Sequence, residues 1–193
     1  MIGLFLGDTD FSDIVLSKIK KLKKKYFIID FSKNNKFQKD KNSFRISIGK
    51  FGSIINLIKQ KKCKKVLFAG KITKPTFSSL RLDLKGIYYM PKIIKSSKLG
   101  DAAILKQIIK ILKNEKILTV SSSKFTPELS LSKGNYTRIR PNFFDKKDIS
   151  CGEKALKKTR SFSFVQGAIS RNNKVLALEG RGGTHKMIKK VKK

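Results

Sequence analysis

Phosphate chemistry needs cations, backbone N–H donors and a carboxylate or two, and one stretch of this chain gathers all three. From Gly70-Lys71-Ile72-Thr73-Lys74-Pro75 through to Arg81-Leu82-Asp83-Leu84-Lys85-Gly86, glycines, lysines, hydroxyls, Arg81 and Asp83 follow a short apolar run. Such a loop can offer N–H groups and positive charge to a phosphate while its apolar members face a lipid or the core. A solvated connector is the plainer alternative. Gly7-Asp8-Thr9-Asp10 is a second candidate, placed after the first apolar burst, where an open parallel sheet receives phosphorylated ligands with a helix N-terminus behind them. A simple strand-to-helix turn capped by Asp8 or Asp10 would read the same way, and no G-x-G-x-x-G fingerprint demands a dinucleotide. His185 is the only histidine, and it can either exchange a proton near neutral pH or serve as a solvated polar group at a helix start. Carboxylates are scarce, with 13 in the whole chain, and those near candidate loops are Asp8, Asp10, Asp83, Asp101 and Glu179. Cys63 and Cys151 lack metal-type spacing, so two free thiols and no zinc site are expected.

The elements that position these residues alternate. Ile2 to Leu6, Tyr26 to Phe31, a weaker Phe44 to Ile48, Lys65 to Ala69 and Ile117 to Val120 read as strands, while Phe11 to Leu22, Phe51 to Ile58 and Asp101 to Leu112 carry helical periodicity. That order predicts an α/β fold: a Rossmann-like parallel-sheet domain over residues 1–123. Pro127, Gly134 and Pro141 mark an irregular connection over residues 124–144. A smaller, incomplete α/β domain is expected over 145–193. It holds a helix from Asp145 to Lys158 with Asp145 as N-cap, then strand-like runs Phe162 to Ser170 and Lys174 to Leu178 around Arg171-Asn172-Asn173. A glycine-rich turn from Glu179 and a last helix from about Thr184 complete it. Two strands bury little by themselves, so greater mobility after about Pro141 and self-association or a covering partner are expected.

The net charge of +33 suggests nucleic acid first. Yet 39 of the 46 basic residues are Lys and 7 are Arg, whereas bidentate phosphate and base-reading sites favour Arg. Together with abundant Ile, Phe and Asn, that balance reads as compositional drift, and no specific nucleic-acid partner is expected. Such a surface still attracts phosphate-rich substrates and anionic membrane faces. No apolar run reaches the ~18 residues of a membrane span, and Met1 to Gly7 is too short for a signal peptide. A cytoplasmic protein is expected, with a possible peripheral contact at the inner membrane.

Several motifs in one order carry a family resemblance. Ala69 through Gly86 follow the pattern A-G-x-x-x-R/K-P-x-L/F-x-x-L-R-x-D-x-K/R-G, and Lys98 to Leu105 resemble a G-D-D/A-x-L/I-L helix start. Asp148-Ile149, Val165-Gln166-Gly167-Ala168 and Val175-Leu176-Ala177-Leu178-Glu179 resemble D-I-x-x-G, V-G-Q-A/S and V-L-A-V/I-E. Across almost its whole length the chain resembles the UDP-2,3-diacylglucosamine pyrophosphatase family of lipid A biosynthesis.

That resemblance implies hydrolysis of UDP-2,3-diacylglucosamine to UMP and 2,3-diacylglucosamine 1-phosphate, with Mg2+ assistance and recruitment of the ion mainly by the substrate. It implies substrate contacts from Gly7, Gly70, Lys71, Lys74, Arg81, Gln166, Glu179, Gly183 and Thr184, with Asp83 and His185 as weak catalytic candidates and no assigned metal ligands. Two departures stand out. Where the family reads E-G-T-D-A-M the chain has Gly182-Gly183-Thr184-His185-Lys186-Met187, so Gly182 and His185 replace two carboxylates. A family segment of K-P-x-Q-D-x-R-x-D-x-P type has no counterpart, which implies a shortened, diverged member. A lipid-phosphate binder without hydrolysis and a basic nucleic-acid binder are the alternatives.

Overall fold

The computed structural model describes residues 1–73, 76–159, 165–180 and 182–191. They divide into two compact units, the first made of Met1–Ile94 and Gln107–Ser132, the second of Lys95–Lys106 and Lys133–Lys193.

Near-continuous apolar runs build the first unit, as expected of strands covered on both faces. β1 (Ile2–Leu6), β2 (Tyr26–Asp30), β3 (Ser43–Phe44), β4 (Lys65–Ala69) and β5 (Leu118–Thr119) form one parallel sheet in the order β3-β2-β1-β4-β5. β1 sits at the centre, pairing Leu6 with Asp30 on one side and with Ala69 on the other. Side chains alternate across the sheet. Leu4 and Leu6 join Ile28, Leu67 and Ala69 in a core cluster with Val15, Leu16 and Ile19 of α1 (Asp10–Lys21). The neighbouring Phe5 meets Phe31 and Phe68 edge to face instead. α2 (Phe51–Gln60) buries Phe51, Ile54, Ile55 and Ile58, the spacing of one helical stripe. This is the doubly wound α/β arrangement expected from the alternation of strands and helices.

Two expectations change. The strand expected from Phe44 to Ile48 pairs only at Ser43–Phe44, because just Ser43 and Phe44 find partners, in Ile28 and Ile29 of β2. The loop expected from Gly70 to Gly86 ends before Leu84, where α3 (Leu84–Ser97), a helix not expected from the sequence, begins with Pro91 inside it, followed by α4 (Asp101–Asn114). Pro91 masks α3 in the sequence because proline removes one ladder N–H and marks a break. Tyr89, Met90 and Ile93 are buried nonetheless, and their burial holds the helix.

In the second unit α5 (Phe143–Lys158) packs on an antiparallel hairpin of β6 (Ala168–Arg171) and β7 (Lys174–Leu178), with α6 (Gly183–Val191) against β7. Asn142, not Asp145, is the N-cap of α5. Its side chain accepts from the N–H groups of Phe144 and Asp145, and Asp145 returns a bond to the Asn142 N–H at 2.8 Å, a reciprocal capping box. The hairpin turns at Asn172 and Asn173, with φ of 52° and 58°, the left-handed pair of a type I′ turn. Only Ala168–Arg171 of the expected strand from Phe162 is extended and paired, and residues 160–164 lie outside the described residues.

Candidate functional site

Strand order reverses direction between β1 and β4, the switch point beside which open α/β sheets receive ligands at the C-terminal ends of their strands. Gly7 and Gly70 stand at that point, and each is glycine for a steric reason. A Cβ on Gly7 would lie 2.2 Å from the Lys71 carbonyl oxygen; one on Gly70, whose φ is +84°, would lie 2.1 Å from Ser12 Oγ. Backbone bonds lock the two loops: the Gly7 N–H donates to Ala69 O at 3.0 Å and the Asp8 N–H to Lys71 O at 2.8 Å. The buried Ser12 hydroxyl lies 2.9 Å from Gly7 O and 3.0 Å from Ala69 O and shares its proton between them.

The loop after β2 is tied in as well, since Asp8 Oδ1 accepts the Lys33 N–H at 2.8 Å. Thr9 caps α1 by position but gives no side-chain bond, while its carbonyl takes the Ser12 N–H at 3.0 Å. Gly7, Gly70 and Lys71 are thus brought together, with the Lys71 side chain exposed. Lys74 lies outside the described residues.

Arg81 and Asp83 serve a different junction. Asp83 accepts from the N–H groups of Gly52 at 3.0 Å and Ser53 at 2.9 Å in the first turn of α2, and from Gly86 at 2.8 Å. Burial works against its charge, but the three backbone donors outweigh it and hold the carboxyl below its ordinary value. Its oxygens are therefore committed to binding the loop to a helix start. Arg81 presents its backbone to Gly49 and leaves its side chain exposed.

In the second unit a carboxylate organises the other sequence candidates. Glu179 Oε1 accepts from Thr184 Oγ1 at 2.7 Å and Oε2 accepts from the Gln166 N–H at 3.1 Å, while its own N–H donates to Gly167 O at 2.9 Å. Gly183, at φ +76°, turns the chain from Gly180 into α6 and sets Thr184 for that bond. Gln166, Glu179, Gly183 and Thr184 form one constellation. His185 follows on the exposed side of α6 and makes no hydrogen bond or ion pair among the described residues.

Sequence reasoning missed Ser12 and Asp30. Asp30 is 2% exposed at the end of β2, the place where a doubly wound fold often offers a carboxylate to a ribose. Here Oδ1 takes the Ser32 N–H at 2.8 Å and the Ser32 hydroxyl at 2.6 Å, and Oδ2 takes the Phe37 N–H at 3.2 Å. Arg45 stands 3.5 Å away, so this acid shapes its own loop. The Asp-x-Ser spacing at a strand end was a readable signal for that turn.

Among the described residues no all-protein cage for a magnesium ion is found. Hard cations take several carboxylate or carbonyl oxygens, yet among the described residues no three of His, Cys, Asp and Glu gather into such a set. The oxygens of Asp30, Asp83 and Glu179 are already occupied as described.

The fold defines an open, doubly wound α/β protein with its switch point between β1 and β4. Residues 1–129 match the model of the LpxI N-terminal domain and residues 132–193 that of the LpxI C-terminal domain, and the chain belongs to the LpxI family. The family resemblance read from the motifs therefore holds. The chain is similar to the UDP-2,3-diacylglucosamine pyrophosphatase LpxI of Caulobacter vibrioides, with 27% identity over 146 residues, 76% of this chain and 52% of that protein. It spans about half the length of the curated relative it matches. Among the described residues no helix is long and apolar enough to cross a membrane.

Proposed function

We propose that this chain hydrolyses the pyrophosphate of UDP-2,3-diacylglucosamine, water adding across the P–O–P bridge to leave UMP and 2,3-diacylglucosamine 1-phosphate. Support comes from the switch point between β1 and β4, with its loops tied together, in a chain matched along its length by the LpxI domains. The N-terminus of α1 and the cation of Lys71 are proposed to offer a phosphate the two things it needs, N–H donors and positive charge. Gly7 and Gly70 let the two loops pack on each other and on α1, which fixes the backbone that a phosphate would meet. The exposed Arg81 is proposed to contact phosphate or sugar. Magnesium is proposed to arrive with the substrate pyrophosphate.

The test is release of UMP from UDP-2,3-diacylglucosamine by the purified full chain in magnesium buffer. Turnover is expected, lowered about tenfold or more by Lys71→Ala, the scale of one lost charged hydrogen bond. Neither turnover nor binding of that substrate would overturn the proposal. A second reading, binding without hydrolysis, draws on His185 standing unpartnered where the family carries an acid. Lipid monophosphate binding without UMP release, with turnover restored in His185→Asp, would select it.

A further inference from the structure

The second unit carries a short surface whose chemistry the proposed hydrolysis does not use. Tyr136, Ile139, Phe143 and Phe144 are 59%, 85%, 64% and 72% exposed. Among the described residues every other phenylalanine is buried or half-buried, so this pair is an exception to how the chain treats its aromatics. The two rings meet edge to face with centroids 5.7 Å apart, and Lys147 Nζ lies 4.5 Å from the Phe143 centroid.

Cations neighbour the apolar residues along the chain. Arg138 and Arg140 flank Ile139 and supply two of the seven arginines in the chain, and Lys146 and Lys147 follow the rings. The one acid in the stretch, Asp145, turns a carboxylate oxygen to the Asn142 N–H and closes the capping box. That box fixes the first turn of α5, so Phe143 and Phe144 project from an ordered helix start.

We propose that residues 136–147 are a docking face for an anionic phospholipid surface, with Ile139, Phe143 and Phe144 entering the interfacial layer and the neighbouring cations meeting lipid phosphates. Apolar side chains within a ring of Lys and Arg match that layer in both chemistry and sign of charge. Guanidinium groups beside Ile139 suit phosphate oxygens, which they contact in pairs. A nucleic acid matches the charge but not the tip. Ile139 is the most exposed of the four and has no ring to stack on a base, so a phosphate backbone would leave it in water.

The inference goes beyond the hydrolase reading, and its test contains none of the proposed substrate, so either can fail alone. The full chain is mixed at ~0.15 M salt with vesicles of phosphatidylcholine, or of phosphatidylcholine with about one third phosphatidylglycerol, and sedimented. Sedimentation with the acidic vesicles only is expected, reduced about tenfold or more in Phe143→Ser/Phe144→Ser, which leaves the charge unchanged.

The chain has no tryptophan, so Phe144→Trp places a single reporter on the face and Tyr88→Trp, at a site 65% exposed in the first unit, supplies a control. The Phe144→Trp emission should shift blue with acidic vesicles and be quenched by lipids brominated on their acyl chains, while that of Tyr88→Trp stays unchanged. Sedimentation that persists undiminished in the double serine variant would overturn the proposal, because charge alone would then explain it. So would a blue shift that follows protein concentration without vesicles, or one produced by duplex DNA but not by lipid.

Discussion

At the scale of single residues, Gly70 is the position on which the junction of the β1 and β4 loops depends most. Gly70→Ala must accept both a left-handed backbone and a Cβ placed 2.1 Å from Ser12 Oγ. The backbone alone costs about 1 to 3 kcal/mol, and displacing Ser12 also breaks its hold on Gly7 O and Ala69 O. A lower denaturation midpoint and loss of phosphate-ligand binding are expected together; a variant as stable as the parent would refute the account. Glu115 shows a different residue-scale effect. Lys59 Nζ at 2.7 Å and Lys85 Nζ grip its carboxylate, with the Tyr89 hydroxyl at 3.0 Å, and they depress its pKa from 4.5 to about 2. A carboxyl depressed in the folded state contributes stability above its unfolded value and loses it as pH falls through the folded value. The lysine ends are partly exposed and screened, so the contribution is on the order of 1 to 2 kcal/mol. Denaturant unfolding should show that share fading between about pH 4.5 and about pH 2, and Glu115→Gln should flatten this part of the profile.

At the scale of elements, the β6–β7 hairpin is held as much by α5 as by its own pairing. Asp148 accepts the Asn172 N–H at 3.1 Å and the Asn173 N–H at 2.5 Å, and its backbone carbonyl takes the Ser170 hydroxyl at 2.6 Å. Gly152 lets the helix come close, since a Cβ there would meet Ser170 Oγ at 3.2 Å. Asp148→Ala leaves two turn N–H groups without their acceptor. It should cost about 1 to 3 kcal/mol, read as faster amide exchange across Ala168–Leu178 with that of β1 and β4 unchanged. The same elements show what a sequence conveys. β1, β2 and β4 were legible because buried parallel strands are runs of Ile, Leu, Phe and Val with little else to become. α3 was not, because Pro91 signals a break locally and the compensating burial of Met90 and Ile93 is tertiary. The loops at Gly7 and Gly70 were legible as glycines after strands, whereas Ser12, which joins them, looks in sequence like any helix-surface serine. The capping residue of α5 was misplaced by three positions because Asn142 and Asp145 are both good caps, and only their reciprocal bonds separate the roles.

For the whole molecule, the charge of +33 sets the solution behaviour. With 46 Lys and Arg against 13 Asp and Glu, self-repulsion opposes the compact state and salt relieves it within a Debye length of about 10 Å at 0.1 M. The melting temperature should rise as salt increases from about 0.02 M to about 0.5 M, opposite to the trend of a protein held by surface ion pairs. An unchanged or falling melting temperature would show that the cations are compensated.

The bonds that clip the rim of the sheet also bear on the kinetics of capture. Three loops, at Gly7-Asp8, Lys33 and Gly70-Lys71, are joined before any ligand arrives, through the backbone and one carboxylate. A phosphate therefore meets a receptor already shaped and has no loop to order first. In stopped-flow mixing the observed rate should climb in proportion to ligand concentration without levelling off, the signature of one-step association; a plateau would reveal a slow rearrangement of the rim.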